Sequence, residues 1–121
     1  MLPKEYRLRK NRDFRFVYGR GASCGSPFLT LVRVRSGPPD RLRVGFSVSK
    51  KVGNAVVRNR VKRRMREAFR EVLPGIAGGH KLIFVARPQA AQAEYRELLR
   101  DMKKLLKRAR LLQSAPKEMP R

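Results

Sequence analysis

Acidic residues are scarce in this 121-residue chain: nine Asp and Glu face 31 Lys and Arg, leaving a formal net charge of +22. Such a charge repels itself unless counter-ions or a partner screen it, and nucleic acid is the usual partner. Cysteine is nearly absent. Cys24 alone excludes an internal disulfide and a cysteine-based zinc site, and it fits a reducing cytoplasm. A single histidine, His80, excludes a histidine acid/base pair. It follows Gly78 and Gly79 in an expected loop, where a solvated turn residue is the commoner reading than a ligand. No apolar run reaches the roughly 18 residues a membrane span needs. An anionic membrane surface is therefore a weaker candidate partner, more so because the basic helices also carry core-type stripes. Residues 1–20 hold seven cations and no apolar stretch of signal length, so no export signal is expected. Phosphate-cradling GxxxxGK(S/T) loops, GxSxG nucleophile elbows and internal repeats are also missing.

What remains is a chain that is 41% hydrophobic, enough for one folded domain over residues 1–112. Residues 113–121, with two prolines, read as a flexible basic tail. The densest feature is residues 50–70, which place nine cations and one acid in 21 positions. At 100° per residue, Val57, Val61, Met65, Ala68, Phe69 and Val72 form one stripe, while Asn59, Arg60, Lys62, Arg63, Arg66 and Arg70 occupy the opposite arc. A solvated face is the ordinary meaning of surface charge, but ordinary faces mix signs. Here cations three and four apart repel each other, which does nothing for the free protein and suits an anionic partner. Asn54 is the expected N-cap, and Pro74 with Gly75 the expected stop.

A first short helix is expected over residues 11–18, capped by Asn11 or Asp13 and ended by Gly19 and Gly21, with Phe14, Val17 and Tyr18 at helical spacing. Residues 28–35 and 41–49 read as strands joined in an antiparallel hairpin across the turn cluster 36–40. In the second strand Leu42, Val44, Phe46 and Val48 alternate with Arg43, Gly45, Ser47 and Ser49. Residues 81–87, apolar on both faces, read as a central strand, and residues 93–112 as a last helix with a wide apolar stripe. The order is α+β, with helices over one side of a small mixed sheet. The open side, with Arg43, Gly45 and Ser47 beside an aromatic helix, would form a shallow cleft for single-stranded nucleic acid. Glu94, Glu97 and Asp101 share a face of the last helix and are the one candidate metal cluster; pairing with Arg100, Lys104 and Arg108 is the commoner role for such acids. No other protein catalytic group is visible.

Residues 48–63, VSKKVGNAVVRNRVKR, closely resemble the "RNR" signature of the bacterial ribonuclease P protein subunit. The resemblance extends through RVGFS at 43–47, LRKNRDF at 8–14 and AFR at 68–70, covering most of residues 8–87. It implies an αβββαβα two-layer sandwich with a left-handed βαβ crossover, like one domain of a ribosomal protein and of elongation factor G. The residue pattern yields three strands, which leaves the fourth near residues 51–53 or before Phe28. The family joins a catalytic RNA that removes the 5′ leader of precursor tRNA, with magnesium held mainly by the RNA, one protein per RNA, and no membrane. By resemblance, the helix from Asn54 contacts the catalytic RNA. Arg58, Asn59 and Arg60 form the signature, surrounded by Lys50, Lys51, Lys62, Arg63, Arg64 and Arg66. The cleft between first helix and sheet would hold the leader, with Phe14 and Tyr18 matching the family aromatics and Arg43, Phe46, Ser47 and Ser49 beside them. Leu31 stands where some members carry a strand tyrosine. Phe14, Tyr18 and Phe46 also have a core reading, since aromatics at such spacings usually pack. The competing functions are a structural RNA-binding protein, ribosomal or other, and a protein-only nuclease built on Glu94, Glu97 and Asp101.

Overall fold

β4 (His80–Ala86) takes the centre of the sheet because its side chains are apolar on both faces, and only a central strand has both faces covered. A computed structural model describes residues 4–37 and 42–112; the expected tail and most of the expected turn cluster lie outside them. Around β4 stand β1 (Ala22–Gly25), β2 (Leu29–Arg35) and β3 (Leu42–Ser47), in the order β1-β2-β4-β3. β2 and β3 are therefore not the hairpin their sequence suggests. β2 pairs with β4 antiparallel and β3 pairs with β4 parallel, so the doubly apolar strand separates them. The fourth strand is β1, before Phe28, and residues 51–53 form a turn. Its sequence, ASCG, has little strand propensity; pairing with β2 makes it a strand.

α2 (Ala55–Val72) connects β3 to parallel β4, the βαβ unit of the fold. Its buried stripe is Val61, Met65, Ala68, Phe69 and Val72, with Val57 partly buried at the edge. Together with α3 (Tyr95–Arg108) it covers the sheet face that presents Leu29, Leu31, Leu42, Val44, Leu82 and Phe84. α3 is shorter than its apolar stripe. A capping box starts it, with the Glu94 amide donating to Glu97 Oε1 at 2.9 Å. Arg110 at φ 61° ends it and turns the chain back, so that the Ala77 amide reaches the Leu111 carbonyl at 2.8 Å.

α1 (Asn11–Arg20) lies on the opposite sheet face, where Val17 packs with Leu8, Val32 and Ile83. Its N-cap is Lys10, without a side-chain cap, and the expected caps Asn11 and Asp13 sit inside the first turn. The entry is set instead by the preceding segment, whose Leu8 amide donates to the Val44 carbonyl at 2.8 Å on the edge of β3. The helix continues through Gly19 to a C-cap at Gly21. His80 is also displaced from its expected place: it opens β4, half-buried, with Nδ1 donating to the Gly78 carbonyl at 2.9 Å.

Candidate nucleic-acid interface

Asn54 fixes the start of the cationic helix, its Oδ1 accepting the Val57 amide at 3.0 Å. Arg58 Nε then donates back to the Gly53 carbonyl at 3.2 Å, which holds that guanidinium over the first turn. Asn59, Arg63, Arg66 and Arg70 are exposed along the outer face, continuous with exposed Lys50 and Lys51, while Lys62 is half-buried. The Arg70–Glu67 contact on this face, 3.8 Å between exposed side chains, is too solvated to neutralise much.

Arg60 and Arg64 behave differently from their neighbours. Arg60 Nη2 donates to the Ala91 carbonyl at 3.2 Å and Arg64 Nη1 to the Ala93 carbonyl at 2.7 Å, fastening the 3₁₀ segment Pro88–Gln92 to α2. A guanidinium has five N–H donors, so this structural use leaves capacity for a phosphate. Arg60 Nε is buried without a partner. Between α2 and α3, Arg60, Arg63, Arg64, Glu67 and Tyr95 line a groove of about 570 Å³. Burial, with smaller contributions from the carboxylates of Glu71 and Glu67, raises the Tyr95 pKa above its ordinary value of 10.0, so the phenol remains a donor.

On the other sheet face, Phe14 lies directly on Gly45: a Cβ there would come within 2.4 Å of Phe14 Cζ. The missing side chain is what lets the ring rest on the strand. Tyr18, one turn on, is 47% exposed with its ring centroid 6.5 Å from that of Phe14. Ser47 follows Gly45 on the same face of β3, and exposed Ser49 lies just past the strand end, accepting the Lys51 amide at 3.3 Å. These residues form one flank of α1.

Two of the expected cleft residues, Leu31 and Phe46, lie in the core on the other side of the sheet. Leu31 is fully buried and registers with Phe84 under α2 and α3. Phe46 is stacked on Phe84 at 6.3 Å and meets Phe69 edge-on at 5.9 Å, so it too belongs to that core. Strand alternation explains both, because Phe46 must face away from Arg43, Gly45 and Ser47. Arg43 is on the α1 face but registers with Lys81, across the Gly45 row from Ser47.

The sequence reading missed Phe16, 37% exposed, with Lys81 Nζ 5.3 Å and Arg20 Cζ 5.8 Å from its ring centroid. Its helical position opposite Tyr18, with Arg20 at i+4, was the signal available in the sequence; the proximity of Lys81 was not.

The carboxylates of α3 are consumed in structure. Asp101 is buried and accepts the Ser26 hydroxyl and the Phe28 amide, both at 2.7 Å, while Glu94 and Glu97 form the capping box. Arg108, an expected ion-pair partner, donates instead to the Gly25 carbonyl at 2.8 Å. Among the described residues no three His, Cys, Asp or Glu are grouped to hold a metal, and no helix is long and apolar enough to cross a membrane.

A mixed four-stranded sheet with a cationic crossover helix on one face and an aromatic helix on the other defines a basic, single-sheet α+β protein suited to a polyanion. The chain belongs to the ribonuclease P protein family, whose model, "Ribonuclease P", matches residues 2–110. It is 43% identical over 115 residues to the ribonuclease P protein component of Microcystis aeruginosa, covering 92% of this chain and 96% of that one. It is 45% identical over 111 residues to that of Clostridium novyi, covering 91% and 98%. The fold matches a Staphylococcus aureus RNase P protein, a mutant described as defective in mRNA degradation activity, with TM-score 0.83 and 34% identity over 90% of this chain and 92% of that one.

Proposed function

We propose that this chain binds the catalytic RNA of ribonuclease P through the outer face of α2, and the 5′ leader of precursor tRNA through the flank of α1 that carries Phe14 and Tyr18. The observation that carries this reading is the separation of the two surfaces. Asn59, Arg63 and Arg66 project from one side of the sheet, while Phe14, Tyr18 and Ser47 lie on the other. One protein can then hold two RNAs at once and lower the phosphate repulsion between them. Bases of an extended leader stack on the rings while cations follow its backbone. The hydrolytic step belongs to the RNA, which would hold the magnesium and supply its metal-ion chemistry. The carboxylates of α3, committed to a capping box and to Ser26 and Phe28, support that division of labour. One protein per RNA acts in the cytoplasm, and no membrane takes part.

The test is cleavage of precursor tRNA at low magnesium by protein alone, catalytic RNA alone, and both, with a messenger RNA added to the protein-alone arm. Cleavage at the mature 5′ end mainly in the mixture is the expected result. Cleavage of either substrate by protein alone would establish a protein active site instead. A mixture no faster than RNA alone would leave a structural RNA-binding protein.

A further inference from the structure

α1 crosses the sheet above the row Gly45, Ile83 and Val32, since Phe14 lies on Gly45 and Val17 packs with Val32 and Ile83. That placement gives the helix two flanks. Phe14 and Tyr18 project on one side. Asp13, Phe16 and Arg20, spaced by three and four residues, project on the other. The second flank stands beside Lys81, which contacts Phe16 at 5.3 Å from the ring centroid and Asp13 Oδ1 at 3.8 Å. Arg43 is the registered neighbour of Lys81.

Phe16 is one of three large apolar side chains exposed among the described residues, and Tyr18 is another. Packing against Arg20 and Lys81 does not account for all of it, because Phe16 stays 37% exposed while Val17 beside it is fully buried. A partly exposed ring with Arg20 and Lys81 over it at 5.8 and 5.3 Å from its centroid has the parts of a single-nucleotide platform once a base displaces one of them: a π-face for the base and cations for the flanking phosphates. In a chain of net charge +22, a polyanion is the matching occupant.

We propose that Phe16, Arg20 and Lys81 form a second nucleotide site for the 5′ leader, engaging leader nucleotides that lie beyond the Phe14–Tyr18 flank after the strand has crossed α1. The proposal rests on the leader-binding reading above. A helix is about 10 Å across, so only a leader long enough to span it reaches the second flank. The site is separated from the first by the width of α1, and its specificity is for single-stranded RNA of any sequence, because every base offers a π-face.

The test uses protein assembled with the catalytic RNA and precursor tRNAs that differ only in leader length. Phe16→Ala should weaken binding of the long-leader precursor by about five- to tenfold, near the lower range for one stacked base. It should leave the short-leader precursor and assembly with the RNA unchanged, apart from any loss of stability that affects both precursors equally. Phe16→Trp should restore long-leader affinity. Equal loss for both leaders, or no loss at all, would overturn the second site. Failure of the wild-type assembly to prefer precursor over mature tRNA would instead overturn the leader reading on which it rests, and the second site with it.

Discussion

Single residues carry much of the distinction between folding and function here. Gly45 is small because Phe14 needs its space, not because the backbone bends there. Gly45→Val should cost about 1–3 kcal/mol, the usual range for overpacking, and should lift Phe14 from the strand. Urea unfolding would measure the first effect, and loss of precursor over mature tRNA discrimination the second. A variant as stable as the parent would contradict the contact. Asp101 shows the opposite case, in which a residue of catalytic type serves the fold. Its buried carboxylate accepts from Ser26 and Phe28, tying the β1–β2 turn to α3. From sequence it looked like a companion of Glu94 and Glu97, since spacing along a helix says which residues share a face but not what that face meets.

Within α2, projection at helical period picked out the buried stripe from Val61 through Val72, but it put half-buried Arg60 and Lys62 on the outer arc. It could not separate the two uses of arginine. Arg63 and Arg66 project outward, while Arg64 also holds the Ala93 carbonyl at 2.7 Å. Arg63→Ala and Arg66→Ala should each reduce the slope of log affinity against log salt for the catalytic RNA by about 0.7–0.9, with folding stability unchanged. Arg64→Ala should lower stability as well, by about 1 kcal/mol for the lost hydrogen bond. Salt titrations of binding beside denaturant titrations of the free protein would show whether the two classes separate. Identical stability across the three variants would sink the distinction. The strands were less legible. β2, β3 and β4 were visible as apolar segments, but the pairing of β2 with β3 was assumed from their adjacency, and β1 was below the threshold of any pattern.

At the scale of the whole molecule, the chain carries a net charge of +22, and among the described residues cations lie on both faces of the sheet, on α2 and beside α1. Among the described residues, the ion pairs of Arg70 with Glu67 and of Lys81 with Asp13 are both long, at 3.8 Å, and offset little of that charge. Self-repulsion should therefore lower the stability of the free protein. Its unfolding midpoint should rise as neutral salt is added, because screening shortens the reach of each charge from about 30 Å at 0.01 M to about 10 Å at 0.1 M. A midpoint that is flat or falls over this range would show that the repulsion is offset within the fold.

By itself the sequence determined the properties that are local to the chain. These include the helical period and its two-faced charge, the Asn54 cap, the alternation of β3, and the RNR run that resembles the family. Each depends on residues a few positions apart, whose spacing is translated directly into direction by helix or strand geometry. Tertiary structure alone decided the strand order, the existence of β1, which helices cover the apolar face that holds Leu31 and Phe46, and the placing of Lys81 beside both Arg43 and Phe16. Those outcomes depend on which distant segment meets which surface. β4 takes the centre because both its faces are apolar, and everything that flanks it is positioned by that one long-range choice.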